Sequence, residues 1–246
     1  YDNCTTRALN MIVDHLHSKV IYPTPKGQEP TFRSLIHEWN HNYEWSQFGE
    51  DLLLGINADK KVSQSKQQFL PDNLRGDFAK AIYNGTPLVM ETHELLAPQN
   101  AIINTETPLS PLSVACIFVI LCTIMMIVSN RKHKMYWVWD TILMLAAGLI
   151  GIIYFMMLFS QHPCVSLNVI ICFFNPLPLF FLYKTIKKTR QQEANIWWKI
   201  WGSLIILGFI GAFFQRIPTA VLIVALFLLL HCVLHIRLDR PVRKYN

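Results

Sequence analysis

Apolar and polar positions alternate in two different ways along this chain, and the change falls near Pro108. Before it, apolar residues recur at helical spacing inside short, polar-rich segments. Leu9, Ile12, Val13 and Leu16 share one helix face, so a helix covers Ala8–Leu16 and starts near residue 3, where Asn3 and Thr5 are N-cap types. Tyr22 to Pro30 is a proline-punctuated loop. Thr31 caps a second helix with Leu35, Ile36, Trp39 and Tyr43 along one side. A short segment around Asp51–Leu54 closes at Gly55 and Asn57, and residues 59–68 read as loop or frayed helix. Phe69-Leu70-Pro71 leads into a helix capped by Asp72, with Leu74, Phe78 and Ile82 facing inward. Leu88–Glu91 suits a strand, and residues 98–111 have linker composition.

After Pro108 the pattern becomes five apolar spans, at about 111–129, 137–159, 165–183, 197–214 and 217–236. The first would be about 28 Å long as a helix, enough to cross a hydrocarbon core of about 30 Å. Trp137, Trp139, Trp197, Trp198 and Trp201 lie near span ends, where interfacial anchors sit. Gly148 and Gly151, then Gly208 and Gly211, offer small surfaces for close helix packing.

The 246 residues are 52% apolar, which suits one or two domains, and the five spans account for the excess. Residues 1–110 carry nine Lys+Arg against thirteen Asp+Glu, so no basic stripe for nucleic acid is present. Charge in the second half predicts orientation. Arg131, Lys132 and Lys134 follow span one; Lys184, Lys187, Lys188, Arg190 and Lys199 follow span three; Arg237, Arg240, Arg243 and Lys244 follow span five. The loops on the opposite side hold only Arg216. The positive-inside rule then puts the C-terminus in the cytoplasm and residues 1–110 outside. The domains expected are an exported part at 1–110, linker included, and a five-span membrane domain at 111–246. The chain starts at Tyr1 on a polar motif that looks like the interior of a domain, so an N-terminal portion is expected to precede it.

Orientation makes the cysteines informative. Cys116, Cys122, Cys164, Cys172 and Cys232 lie in or beside spans, leaving Cys4 alone in the exported part. At a helix N-terminus a sulfur meets unpaired N–H groups and the positive end of the dipole, which favour the thiolate, and Arg7 adds positive charge one turn on. A buried packing role is the plain alternative. An exported cysteine without a partner reads as a candidate nucleophile.

The spans also hold polar groups that an anchor does not need. His162-Pro163 ends the second loop, and Asn168 and Asn175-Pro176 follow in span three. Buried asparagine must be partnered, so these side chains either bridge helices or line a cavity open to the outer leaflet. Pro176 and Pro178 would interrupt the helix and free backbone carbonyls. His231 and His235 stand four apart on span five, near its cytoplasmic end, with no carboxylate or cysteine pattern around them, which favours an interior or interfacial role over a metal. His37-Glu38-Trp39-Asn40-His41 matches H-E-x-x-H, which would present two imidazoles for zinc with Glu38 as base. The amphipathic pattern at 35, 36, 39 and 43 explains the same residues without a metal, and no third-ligand motif follows. No metal or other cofactor is expected.

Tyr1-Asp2-Asn3-Cys4-Thr5-Thr6-Arg7 resembles the D-N-C-x-T-R signature of the Lnb family, bacterial lipoprotein N-acyltransferases. Further likenesses are Trp45-Ser46-Gln47-Phe48-Gly49, Asp51-Leu52-Leu53-Leu54-Gly55, Ala58-Asp59 and Phe69-Leu70-Pro71, and, in the membrane half, His162-Pro163, Asn168 and Asn175-Pro176-Leu177. The resemblance implies an α+β fold: part of a permuted papain-like (NlpC-type) periplasmic domain, mostly helical as present, followed by a five-helix transmembrane bundle in the bacterial inner membrane. It implies Cys4 as nucleophile, with Asn3, Thr5, Thr6 and Arg7 shaping its helix start, and a polar site of His162, Asn168 and Asn175 in the membrane domain. The histidine base would precede the cysteine in sequence, and this chain departs from the pattern in lacking that stretch. None of His15, His17, His37, His41 or His93 takes the role merely by being present.

The chemistry implied is acyl transfer in two steps, from a phospholipid donor to Cys4 and then to the N-terminal amine of a lipoprotein acceptor. A Cys amidase or peptidase acting on cell-wall peptide would use the same thiolate. A zinc metallopeptidase using His37, Glu38 and His41 would ignore it, and a membrane scaffold would need no chemistry. Donor lipid, acyl position and oligomeric state stay open.

Overall fold

The computed structural model describes residues 3–23, 29–96 and 108–238. Tyr1, Asp2, most of the predicted linker and the tail residues Arg240, Arg243 and Lys244 lie outside them. In chain order the helices are α1 (Cys4–Asp14), α2 (Phe32–Asn40), α3 (Glu44–Leu53), α4 (Gln64–Gln67) and α5 (Pro71–Lys80). After the two short strands β1 (Ile82–Tyr83) and β2 (Thr86–Pro87) come α6 (Pro111–Lys132), α7 (Trp137–Met157), α8 (Leu177–Arg190), α9 (Trp197–Gly211) and α10 (Thr219–Leu238). The fold is mostly helical, as expected. It divides into two compact units, residues 1–42 with 60–105, and residues 43–59 with 106–246.

The first unit has a small core of Leu35, Val62 and Phe69, against which Phe32, Ile36 and Leu70 pack. Thr31 caps α2 as expected, in a reciprocal box with Ser34. Of the residues expected along one side of that helix, Leu35 is buried while Trp39 and Tyr43 are exposed. The α5 helix begins one residue before Asp72, with Pro71 in its first turn, where the missing N–H is no loss. Gln64 and Gln68 both donate to the Asp77 carboxylate, at 2.8 and 2.7 Å, which ties α4 to α5. Ile82 is exposed rather than inward-facing, and the predicted strand at 88–91 is replaced by the β1–β2 hairpin. Asn84 and Gly85, both at positive φ, form the turn that sets this register; Asn-Gly is a strong hairpin signal.

The second unit is built on α6 to α10. Four segments are long and apolar enough to cross a membrane: Pro111–Lys132, Trp137–Met157, Val169–Arg190 and Thr219–Leu238. At 15 residues α9 would be about 22 Å long, shorter than a hydrocarbon core. The predicted span at 165–183 is not one helix. Asn168 caps a 3₁₀ turn (Val169–Cys172), the chain breaks at 173–176, and α8 starts at Leu177 with Pro178 in its first turn. The prolines thus begin α8 instead of kinking it, because proline lacks the N–H an interior turn requires. The Phe173 carbonyl freed by the break accepts a hydrogen bond from Trp201 Nε1 at 3.2 Å.

Trp197, Trp198 and Trp201 are fully buried, contrary to an interfacial role for them. Phe181 stacks on Trp197 at 4.8 Å, and Trp201 packs on both Trp197 and Trp198. Such pairs contribute roughly 0.5–1.5 kcal/mol each beyond burial, which matters where lipid offers no hydrophobic gain. The glycines do allow close packing. A Cβ on Gly151 would sit 2.1 Å from the Asn175 carbonyl carbon, and one on Gly208 2.4 Å from the Phe173 ring.

Candidate functional site

Asn3 is the N-cap of α1 and Cys4 its first residue. The Asn3 side chain accepts from the Thr6 N–H at 2.9 Å, while the Asn3 N–H donates to Thr6 Oγ1 at 2.9 Å. This capping box, with threonine in place of the usual acid or amide, satisfies two donors at once. Asn3 Nδ2 also donates to the Phe69 carbonyl at 2.9 Å, which fixes the helix start to the turn before α5. Cys4 is exposed and not in a disulfide. Arg7 is exposed, and its N–H closes the first helical bond to Asn3 O at 3.0 Å. Thr5 is half-buried. Among the described residues no histidine is hydrogen-bonded to the Cys4 thiol.

The polar residues predicted in the membrane half fall into two kinds. Asn168 is buried and fully engaged. Its Nδ2 donates to Leu52 O at 2.8 Å, and its Oδ1 accepts from the Ile170 N–H at 3.0 Å and from Gln215 Nε2 at 2.9 Å. Gln215 completes the knot, donating to Leu54 O at 3.2 Å and accepting from the Val169 N–H at 2.8 Å. The loop before it joins in: Gly55 N–H donates to Cys164 O, Ile56 N–H to Leu167 O, and Asn57 Nδ2 to Pro163 O. Residues 43–59 are therefore stapled to one end of the bundle by backbone and amide bonds, and Gly55 leaves no room for a Cβ against Leu167 O. Asn175 is buried too, but only its Oδ1 is bonded, to the Leu177 N–H; its Nδ2 has no partner. His162 is exposed, with Nδ1 accepting from the Cys164 N–H at 3.3 Å. Of the three, Asn168 was legible as a partnered amide. Gln215 was missed, although an amide closing the fourth span was the available signal.

Beside this staple lies an apolar groove of about 430 Å³. Trp45, Phe48 and Leu52 of α3 form part of its wall, with Ile150 and Tyr154 of α7 and Val221 of α10. Trp45 is held there by its Nε1 bond to Leu109 O at 2.9 Å.

Two histidine pairs can be compared directly. His41 of the H-E-x-x-H run is exposed and turned onto its own backbone, Nδ1 lying 2.9 Å from Glu38 O. Glu38 is exposed, and no third ligand joins them among the described residues. His231 and His235, by contrast, both face Asp140 of α7, each Nε2 lying 2.9 and 3.0 Å from its Oδ1. That carboxylate, 91 positions away in sequence, was missed. An acid inside an apolar span was the signal for it.

Around the Tyr22 phenol in the first unit, burial and the neighbouring Asp77 carboxylate raise the pKa above its ordinary value of 10.0. The ring stacks on Phe78.

Several apolar crossings, joined at one end by a buried amide knot, define a polytopic membrane protein. The Lnb transmembrane domain model matches residues 103–241, more than half of the chain, and the chain belongs to the Lnb family. No curated protein and no solved structure matches it.

Proposed function

We propose that the chain is a membrane-bound lipoprotein N-acyltransferase with Cys4 as its nucleophile. The observation that carries this reading is an exposed Cys4 as first residue of a doubly capped helix, in a chain whose membrane half is of the Lnb family. The Cys4 thiolate attacks the ester carbonyl of a phospholipid. The oxyanion meets N–H groups at the start of α1, those of Cys4 and Thr5 being the ones the cap leaves over. Collapse breaks the ester C–O bond, and the departing lysolipid alkoxide takes a proton, leaving an acyl thioester. The amine of the lipoprotein's N-terminal cysteine then attacks the thioester, an amide forms, and the thiol is released.

Asn3 and Thr6 hold the cap, Thr5 and Arg7 shape its first turn, and the groove beside α3 suits an acyl chain. Asn168 braces the wall of that groove through Leu52, while Asn175 and His162 offer polar groups to a headgroup. The first unit is read as part of a permuted papain-like domain on the periplasmic side. α9 makes the fifth crossing of the inner membrane, and the C-terminus is cytoplasmic.

The test is incubation of the full chain, in detergent, with radiolabelled phospholipid. A hydroxylamine-labile acyl adduct that Cys4→Ser abolishes is the expected result. An adduct that survives Cys4→Ser, or none in a protein otherwise competent to transfer acyl groups, overturns the reading.

A further inference from the structure

The cluster of Asp140, His231 and His235 lies at the other end of the bundle from the amide knot. Asp140 is in the first turn of α7, about 25 Å of helix before Met157, the last residue of α7. Its carboxylate is wholly buried, and both histidines are about 2% exposed or less. Three ligand-type atoms, Asp140 Oδ1 and the two Nε2, lie within 4.8 Å of one another. Trp198 stacks on His235 at 3.8 Å and meets the His231 ring edge-on at 5.4 Å.

Hydrogen bonding alone accounts for this arrangement poorly. Both imidazoles would donate to the same oxygen, leaving Asp140 Oδ2 and His231 Nδ1 buried with no partner. No lysine or arginine answers the carboxylate among the described residues, and an isolated buried charge is costly. A divalent cation between the three atoms would pair the carboxylate and both Nε2 lone pairs at once and put Asp140 Oδ2 within reach of the ion, with one net positive charge left on the site. Tetrahedral zinc at 2.0–2.1 Å sets its ligand atoms about 3.3 Å apart, so the 2.9 and 3.0 Å pairs need to open by a few tenths of an ångström. The two Nε2 atoms, within 4.8 Å of each other, settle at the same spacing, and the unpartnered Asp140 Oδ2 or a water takes the fourth position. His at i and i+4 on one helix presents both rings to one point, and two imidazoles with a carboxylate suit a borderline transition metal.

We propose that Asp140, His231 and His235 form a structural site for a divalent transition metal of the zinc type. Its role follows from the packing: α10 packs on α6 and α9, α7 packs on α8, and this cluster links α7 to α10. The site is independent of the acyl-transfer reading.

The test uses the full chain, free of any tag, purified in detergent, equilibrated with zinc and desalted. Elemental analysis should find about one zinc per chain, and zinc should raise the melting temperature of metal-free protein. Asp140→Asn keeps an oxygen to accept both Nε2–H groups but is a poor ligand. It should lower zinc affinity at least tenfold and abolish the thermal shift. A His37→Ala/His41→Ala variant should keep its zinc. In wild-type protein cobalt should give the visible absorption of a low-symmetry nitrogen–oxygen site, a readout that needs no variant. Wild-type protein that takes up neither zinc nor cobalt overturns the proposal, as does undiminished binding in Asp140→Asn. Zinc lost on changing His37 and His41 overturns it too.

Discussion

Replacing Asn168 by alanine tests whether the amide knot holds residues 43–59 to the bundle. The substitution removes three hydrogen bonds, at 2.8, 2.9 and 3.0 Å; it takes the Asn168 partner from the Leu52 carbonyl and the buried Ile170 N–H, and leaves Gln215 Nε2 with its Leu54 O bond. A net contribution of roughly 0.5–1.5 kcal/mol per bond, with an added penalty for stranded groups, puts the loss at about 3 kcal/mol. By the size scaling of globular chains this lowers the melting temperature by about 6–12 °C. Thermal unfolding of purified protein in detergent, followed by the fraction surviving size exclusion, measures it. Because Asn168 and Gln215 share one bond, Gln215→Ala and the double variant should be less than additive by about 1–2 kcal/mol. A loss below about 1 kcal/mol, or strict additivity in the cycle, would refute the account of the knot as a staple.

Gly151→Ala brings a Cβ against Asn175 backbone and should cost about 1–3 kcal/mol or more, whereas at Gly202 the nearest atom is 3.5 Å away and alanine should be near neutral; paired melts separate them. Asn175→Ala loses the Oδ1 bond from the Leu177 N–H but also relieves an unpaired buried Nδ2, so it should cost no more than about 1 kcal/mol, yet slow acyl-adduct formation at Cys4; an unchanged rate removes Asn175 from the proposed site. Thr6→Val removes the hydroxyl half of the α1 cap, the acceptor of the Asn3 N–H, while the residue 6 N–H still donates to Asn3 Oδ1; it should destabilise the first unit by about 0.5–1 kcal/mol, with a slower Cys4 reaction toward a soluble thiol reagent. Tyr22 has a raised folded pKa, so the unfolded chain ionises first. Its contribution is intact below about pH 10 and is lost as pH rises through the higher folded value. Tyr22→Phe, which keeps the stacking on Phe78, should flatten the loss of stability above pH 10; an unchanged alkaline limb contradicts that origin.

Local patterns carry information only as far as one element reaches, and that limit explains what could be read in advance. The start of α1 was legible because capping is a matter of three neighbouring residues: Asn3, Cys4 and Thr6. Four long apolar segments were legible because hydrocarbon demands length and composition and nothing finer. The glycine pairs were legible because only a missing Cβ permits such approach. The break at 173–176 was half-read: the prolines marked it, but whether they kink a helix or begin one depends on what receives the freed carbonyl, and Trp201 does.

Tertiary structure alone decided which polar groups meet. Sequence distance hides Asp140 from His231 and His235, and hides Asn168 and Gln215 from residues 52–54. It also decided that three tryptophans read as interfacial would pack into the core, since a helix end and a bundle centre look alike in one dimension. Chain chemistry set what each segment could be. Burial, which makes an unpaired polar atom expensive, selected the partners.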